Sequence, residues 1–197
     1  LAEFEWSIHA HTMINSHYPF VAIQSPWSKK FLNIQNEVKS IEIETGPLLS
    51  ARKHEYENDR KSLRKKIFGS NYNQRIILHA SSLKGWQAFR PWIFETFDEY
   101  IRNINDVIQA LEFVPELFLA IRFRPQDGIS LNDLKSSLIK SEKYSIYEDG
   151  EFNDYLLASD LLLSYSSTTI EEALQNQIPV LQNDPDGKYE HIPAQEL

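Results

Sequence analysis

Residues 160–180 read Asp-Leu-Leu-Leu-Ser-Tyr-Ser-Ser-Thr-Thr-Ile-Glu-Glu-Ala-Leu-Gln-Asn-Gln-Ile-Pro-Val. An unbroken apolar run at 161–163 within the strand candidate 161–165 gives way to small hydroxyl residues, then to a helical spacing over 168–176, then to a second, largely apolar run at 178–182. A strand that alternates apolar and polar residues covers one face of a sheet; a strand that is apolar at every position is buried on both. Both faces are buried when helices cover a parallel sheet, so this stretch predicts a strand–helix–strand unit of an α/β fold.

The same unit recurs upstream. Residues 19–25 (PFVAIQS), 41–45 (IEIET), 75–80 (RIILHA), 117–123 (LFLAIRF) and 144–147 (YSIY) read as further strands. Between them, residues 91–113 carry Ile93, Phe97, Tyr100, Ile104, Val107, Ile108 and Leu111 along one stripe. Glu95, Asp98, Arg102, Asn103 and Asp106 are expected largely opposite, as on an amphipathic helix. Shorter helices are expected over 55–68, 130–139 and 152–159, with another over 26–32. Strand and helix in strict turn predict a doubly wound parallel sheet, Rossmann-like in layout. Thr45-Gly46-Pro47 breaks regular structure and is the expected boundary, with 1–45 the remnant of a preceding lobe and interlobe strand and 46–197 the α/β lobe. The start has neither a basic leader nor an initiator Met, which reads as a fragment or processed piece.

Composition narrows the functional classes. With 42% hydrophobic and 24% charged residues in 197, the chain is globular rather than disordered. A formal charge of −8 argues against general attraction to nucleic acid. Without cysteine there is no disulfide framework and no thiolate metal site, which suits a reducing compartment. No window approaches the ~18 consecutive apolar residues of a membrane span.

In open parallel sheets, ligands bind beyond the carboxyl ends of the strands. The loop Ser164-Tyr165-Ser166-Ser167-Thr168-Thr169 lies there, opening a helix. Hydroxyls at a helix start cap free N–H groups, and those N–H groups also attract phosphate. Ser166, Ser167 and Thr168 are therefore candidate phosphate contacts, and Glu172, a turn further on, is a candidate acceptor for sugar hydroxyls. The alternative is a Ser/Thr-x-x-Glu capping box with no ligand, and spacing alone favours it.

Taken whole, residues 160–180 resemble the nucleotide-sugar signature in the C-terminal lobe of GT-B glycosyltransferases: an aspartate-led strand, a small-residue loop, Glu-Ala, a short helix, then small-x-Pro-Val. The signature is shared with non-hydrolysing UDP-N-acetylglucosamine 2-epimerases and with bacterial teichoic-acid and capsule polymerases. The interlobe turn at 43–48 (IETGPL), the strand and loop at 75–84, the LAIRFRP strand end at 119–125 and the helix at 151–160 fit in the same order. The resemblance implies that Ser166, Ser167 and Thr168 hold a donor's diphosphate and Glu172 its ribose. It departs where relatives carry glycine and this chain has Ser167 and Thr168, and most of an N-terminal acceptor lobe is absent.

Other residues follow from that frame. Arg124 is expected at the mouth, neutralising a departing diphosphate, whereas Arg122 is read as a surface ion pair. Ser81, Ser82 and Lys84 form a second candidate anion cradle, the alternative being a polar solvent-facing loop. The loop after the last strand resembles the family's donor-side final loop, which makes Asp186, Lys188, Tyr189 and His191 candidates for contact with the transferred sugar, although Asp184-Pro-Asp-Gly is also a good turn by itself. By the same resemblance His11 is the candidate general base, the alternative being a surface histidine, and His79 is expected to be a satisfied core histidine. No metal and no resident cofactor are expected, since nucleotide-sugar is the substrate and helix N-termini with basic side chains stabilise its leaving group. The basic run 60–68 (RKSLRKKIF) is either the solvated basic face of an ordinary helix or a peripheral contact with an anionic membrane surface. The functional expectation is a cytoplasmic transferase, at the inner face of the membrane, moving sugar from a nucleotide-sugar to a glycan or lipid-linked acceptor of surface polysaccharide, with a CDP-alcohol phosphotransferase as a close variant. A 2-epimerase-like enzyme and a non-catalytic nucleotide- or glycan-binding module are the alternatives.

Overall fold

The computed structural model describes residues 19–23, 41–45, 57–80, 95–124, 129–165, 167 and 169–187. The chain divides into two compact units, Leu1–Ser50 with Glu190–Leu197, and Ala51–Tyr189. In the first, β1 (Phe20–Ile23) and β2 (Ile41–Glu44) pair in parallel, Phe20 opposite Ile41 and Ile23 opposite Glu44. The helix expected over 26–32 lies outside the described residues.

The second unit runs α1 (Glu57–Phe68), a 3-10 turn (Gly69–Asn73), β3 (Arg75–His79), α2 (Phe97–Leu111), β4 (Leu117–Arg122), α3 (Leu131–Ser137), β5 (Tyr144–Tyr147), α4 (Phe152–Ala158), β6 (Leu161–Ser164), α5 (Thr169–Gln175) and β7 (Val180–Gln182). Its five strands are all parallel in the order β5-β4-β3-β6-β7. The chain starts in the middle, winds outward through β4 to β5, crosses back to β6 beside β3, and winds outward again to β7. Strand order therefore reverses between β3 and β6, the switch point at which such sheets open a crevice.

Alternation along the strands sorts the core into two layers. Leu119 and Ile121 of β4 and Leu163 of β6 pack with Tyr100, Ile104, Ile108 and Leu111 of α2 and Leu134 of α3. Ile76, Leu78, Phe118, Ala120 and Leu162, equally buried, fall on the other side, with Tyr155, Leu156 and Ala158 of α4. Phe68 at the end of α1 meets the rings of Tyr147 and Tyr155 edge-on, at 5.9 and 6.3 Å between centroids. Each such large apolar side chain contributes about 1.5–3 kcal/mol by leaving water.

Helix starts follow from capping. At α2, Thr96 Oγ1 accepts from Glu99 N–H at 3.2 Å while the Glu99 carboxylate accepts from Thr96 N–H at 2.8 Å. Ser130 and Asp133 repeat this box at α3. The helix expected from residue 91 thus begins at Phe97 in the described chain, because Thr96 is extended and caps it.

At the amino edge the aspartate that leads the 160–180 stretch has a structural task. Asp160 accepts from Ile76 N–H at 2.8 Å and pairs with Arg60 at 2.8 Å and Arg64 at 2.9 Å. Arg64 also donates to the carbonyls of Tyr72 and Gln74. One carboxylate thereby ties α1 to β3 and β6. Arg60 and Arg64, expected on a free basic face, are spent on this latch, and Lys61, Lys65 and Lys66 remain exposed. No helix among the described residues is long and apolar enough to cross a membrane.

Candidate functional site

The switch point is built from the carboxyl ends of β3 and β6. Ala80, just past β3, donates N–H to Leu163 O at 3.1 Å. Its own carbonyl accepts from Ser164 Oγ at 3.2 Å and from Thr169 Oγ1 at 3.3 Å. Two hydroxyls from either end of the β6–α5 turn therefore fasten that turn to the adjacent strand. Within the turn, Ser167 Oγ accepts from Thr169 N–H at 3.3 Å and Ser167 O accepts from Ile170 N–H at 3.1 Å. Ser167, a candidate phosphate contact, is thus also a local cap for the first turn of α5. Ser166 and Thr168 lie outside the described residues.

Ile170 and Ala173 bury one side of α5, which leaves Glu172 half-buried at the turn's rim. Its carboxylate joins no hydrogen bond or ion pair among the described residues, and burial first, then the neighbouring Glu171, pushes its carboxyl above the usual range. Such a group gains from any hydroxyl that comes to donate to it. The helix ends where Gln177 takes a positive φ of 59° and Asn176 Nδ2 donates to Glu172 O at 2.9 Å.

Beside this turn, on the α2 side, lies a polar group that spacing alone did not single out. Glu95, only 4% exposed, accepts from Asn103 Nδ2 at 3.1 Å. His79 is buried against Tyr100, 5.9 Å between ring centroids, and burial pulls its pKa down to about 4. Its Nδ1 has no hydrogen-bond partner, so His79 is in the core as expected but is not satisfied there. The Tyr165 hydroxyl is pushed up to about 12, by burial first and then by the charges of Asp184, Glu95, Glu99 and Asp186. Arg102 reaches Asp186 at 2.9 Å and fastens the loop after β7 to α2. Glu95 and Asn103, expected on the solvent side of the α2 region, are buried instead. The signal for Asn103 was present: it sits three residues after Tyr100 and four before Val107, on the apolar stripe itself.

The two arginines part company. β4 ends at Arg122, so Arg124 lies past the strand, exposed at its carboxyl end. Arg122, read from sequence as a surface ion pair, instead donates to the carbonyls of Phe123, Tyr147, Glu148 and Gly150, and its guanidinium stacks 5.3 Å from the Tyr155 ring centre. Gly150 holds φ +88° there, and a Cβ would press 3.3 Å from the Tyr155 ring, so this corner admits only glycine without strain. His11, Ser81, Ser82, Lys188 and His191 lie outside the described residues. No group of three or more metal-ligating side chains occurs among the described residues.

No protein-family model matches the chain, and no curated protein matches it. Among solved structures it is similar to the crystal structure of Anabaena Alr3699/HepE in complex with UDP, at 15% identity and a TM-score of 0.46. The match covers 92% of this chain and 49% of that one, so the chain spans about half of that neighbour. The fold described above rests on its own strand order.

Proposed function

We propose that the chain is the donor-binding part of a nucleotide-sugar-dependent glycosyltransferase of GT-B type. The observation that carries this reading is Glu172: a half-buried carboxylate without a partner among the described residues, on the first turn of a helix that opens at the strand-order reversal, beside a turn of hydroxyl residues. Fold likeness is not part of the argument.

On this reading Glu172 accepts from both ribose hydroxyls, and Ser166, Ser167 and Thr168 hold the diphosphate. Arg124, exposed past β4, faces charge that develops as the nucleoside diphosphate leaves. An acceptor hydroxyl attacks the anomeric carbon, the bond to the diphosphate oxygen breaks, and the hydroxyl proton passes to a base, for which His11 is the candidate. Ser81, Ser82, Lys188 and His191 are assigned to donor contacts in the same scheme. Residues 1–45 belong to the acceptor side and 46–197 to the donor side. Lys61, Lys65 and Lys66 are the residues that would meet an anionic membrane carrying a lipid-linked acceptor.

Calorimetric titration with UDP, CDP, GDP and CMP tests the assignment, with UDP, the ligand of the HepE crystal, as the first to try. At least one diphosphate is expected to bind, and Glu172→Ala is expected to lose roughly 1–3 kcal/mol of that affinity, the worth of hydrogen bonds to a charged acceptor. Unchanged affinity in the variant would remove the ribose role. A Ser166→Ala, Ser167→Ala pair should weaken diphosphates more than the free nucleoside. Incubating the protein with UDP-N-acetylglucosamine and no acceptor should leave the sugar unepimerised.

A further inference from the structure

Asn103 Oδ1, in a residue 7% exposed, and His79 Nδ1, in a residue 3% exposed, are buried without a hydrogen-bond partner among the described residues. The orientation of the amide follows from its neighbour. Glu95 Oε1 requires a donor and Asn103 Nδ2 supplies it at 3.1 Å, so the atom left over is the acceptor oxygen. A neutral imidazole offers one acceptor as well, and burial keeps His79 neutral. What is missing from this corner is therefore a donor for the Asn103 oxygen and a hydrogen-bonding group of either kind for His79 Nδ1, and a hydroxyl group supplies both.

The surroundings select among donors. Glu95, Glu99, Asp184 and Asp186 all bear on the Tyr165 hydroxyl, a concentration of negative charge that repels phosphate. Nor does the start of α2 offer an anion site, because the Thr96–Glu99 box already places a carboxylate there. The phosphate-friendly turn lies next door, since Thr169 bonds the carbonyl of Ala80, the residue immediately after His79. A ligand with an anionic half and a polyhydroxyl half would meet matching chemistry on the two sides of β3.

We propose that Asn103 and His79, with Glu95 orienting the amide, form the subsite that reads hydroxyl groups of the transferred sugar. This rests on the nucleotide-sugar reading above and adds the place and direction of the sugar. The diphosphate lies on the α5 side of β3 and the sugar on the α2 side.

The test compares nucleoside diphosphates (UDP, CDP, GDP) with their hexose conjugates by calorimetry on the intact chain and two variants. Asn103→Leu removes the acceptor but strands Glu95, so Glu95→Leu/Asn103→Leu, which removes both members of the pair, guards against simple unfolding, checked by thermal melting. In each folded variant the diphosphate is expected to bind within about twofold of the parent. The ratio of conjugate Kd to diphosphate Kd is expected to rise about tenfold, the effect of losing one or two hydrogen bonds. A ratio that stays at the parental value, as an ordered water alone in this corner would give, overturns the sugar subsite and leaves the nucleotide reading standing. A parent chain that binds no diphosphate and no conjugate overturns both.

Discussion

Glu172 is raised by burial and by Glu171, so the fold favours its protonated form. That preference stabilises the protein below the usual glutamate range and is lost as pH rises through the raised folded value, so at neutral pH the ionised carboxylate is a burden on the fold. Glu172→Gln is accordingly expected to melt at the same or a higher temperature at pH 7 while binding nucleotide more weakly; a lower melting temperature would mean that the carboxylate has a partner holding the fold together. Ribose hydroxyls that favour the ionised form should lower its pKa, and nucleotide affinity should fall as pH drops through the raised value. His79 has the opposite shift for its type. Its pKa is about 4 against an ordinary 6.5, so the folded chain binds fewer protons than the unfolded one between those values. Stability is then full above about pH 6.5 and declines as pH falls toward 4, by up to about 3 kcal/mol from this residue alone. Denaturant melts across that range should be less pH-dependent in His79→Leu than in the parent, and identical slopes would contradict the burial argument.

At the scale of elements, the two edges of the sheet divide the work. The amino edge is braced by Asp160, where burial opposes ionisation but the Ile76 N–H and the two arginines outweigh it and hold the carboxyl below its usual range. Stability from this group is present above the ordinary aspartate pKa, near 4, and lost as pH falls through the depressed folded value. Asp160→Asn keeps the size and loses the charge, with an expected cost of roughly 1–3 kcal/mol in chemical denaturation. A neutral result would show that α1 docks through Phe68 and its aromatic neighbours without the latch. At the carboxyl edge the β6–α5 turn is tied by neutral hydroxyls, Ser164 and Thr169 on one carbonyl, which fixes the turn without charge at the place where a charged ligand is proposed.

Across the whole molecule, the layout was legible because buried parallel strands advertise themselves: Leu161, Leu162 and Leu163 in succession leave no solvent face. The α/β class and the described α-helices and strands were expected from sequence, with ends moved by a residue or a few where caps such as Thr96 intervene, whereas the 3-10 turn at Gly69–Asn73 was not. The site was legible only in part. Glu172 and the hydroxyl turn stand together in sequence, whereas Asn103 meets Glu95 ahead of its helix and His79 of β3 meets Tyr100 of α2, and spacing along one element cannot report a meeting between two. Arg122 was misread for a related reason, since its partners are carbonyls of a loop 25 to 28 residues away. The most direct measurement of the central claim is a crystal structure of this chain grown with a saturating nucleoside diphosphate. The account predicts the ribose hydroxyls hydrogen-bonded to the Glu172 carboxylate and the diphosphate against Ser167; a nucleotide bound elsewhere, or one seated there with Glu172 turned away from it, would contradict it.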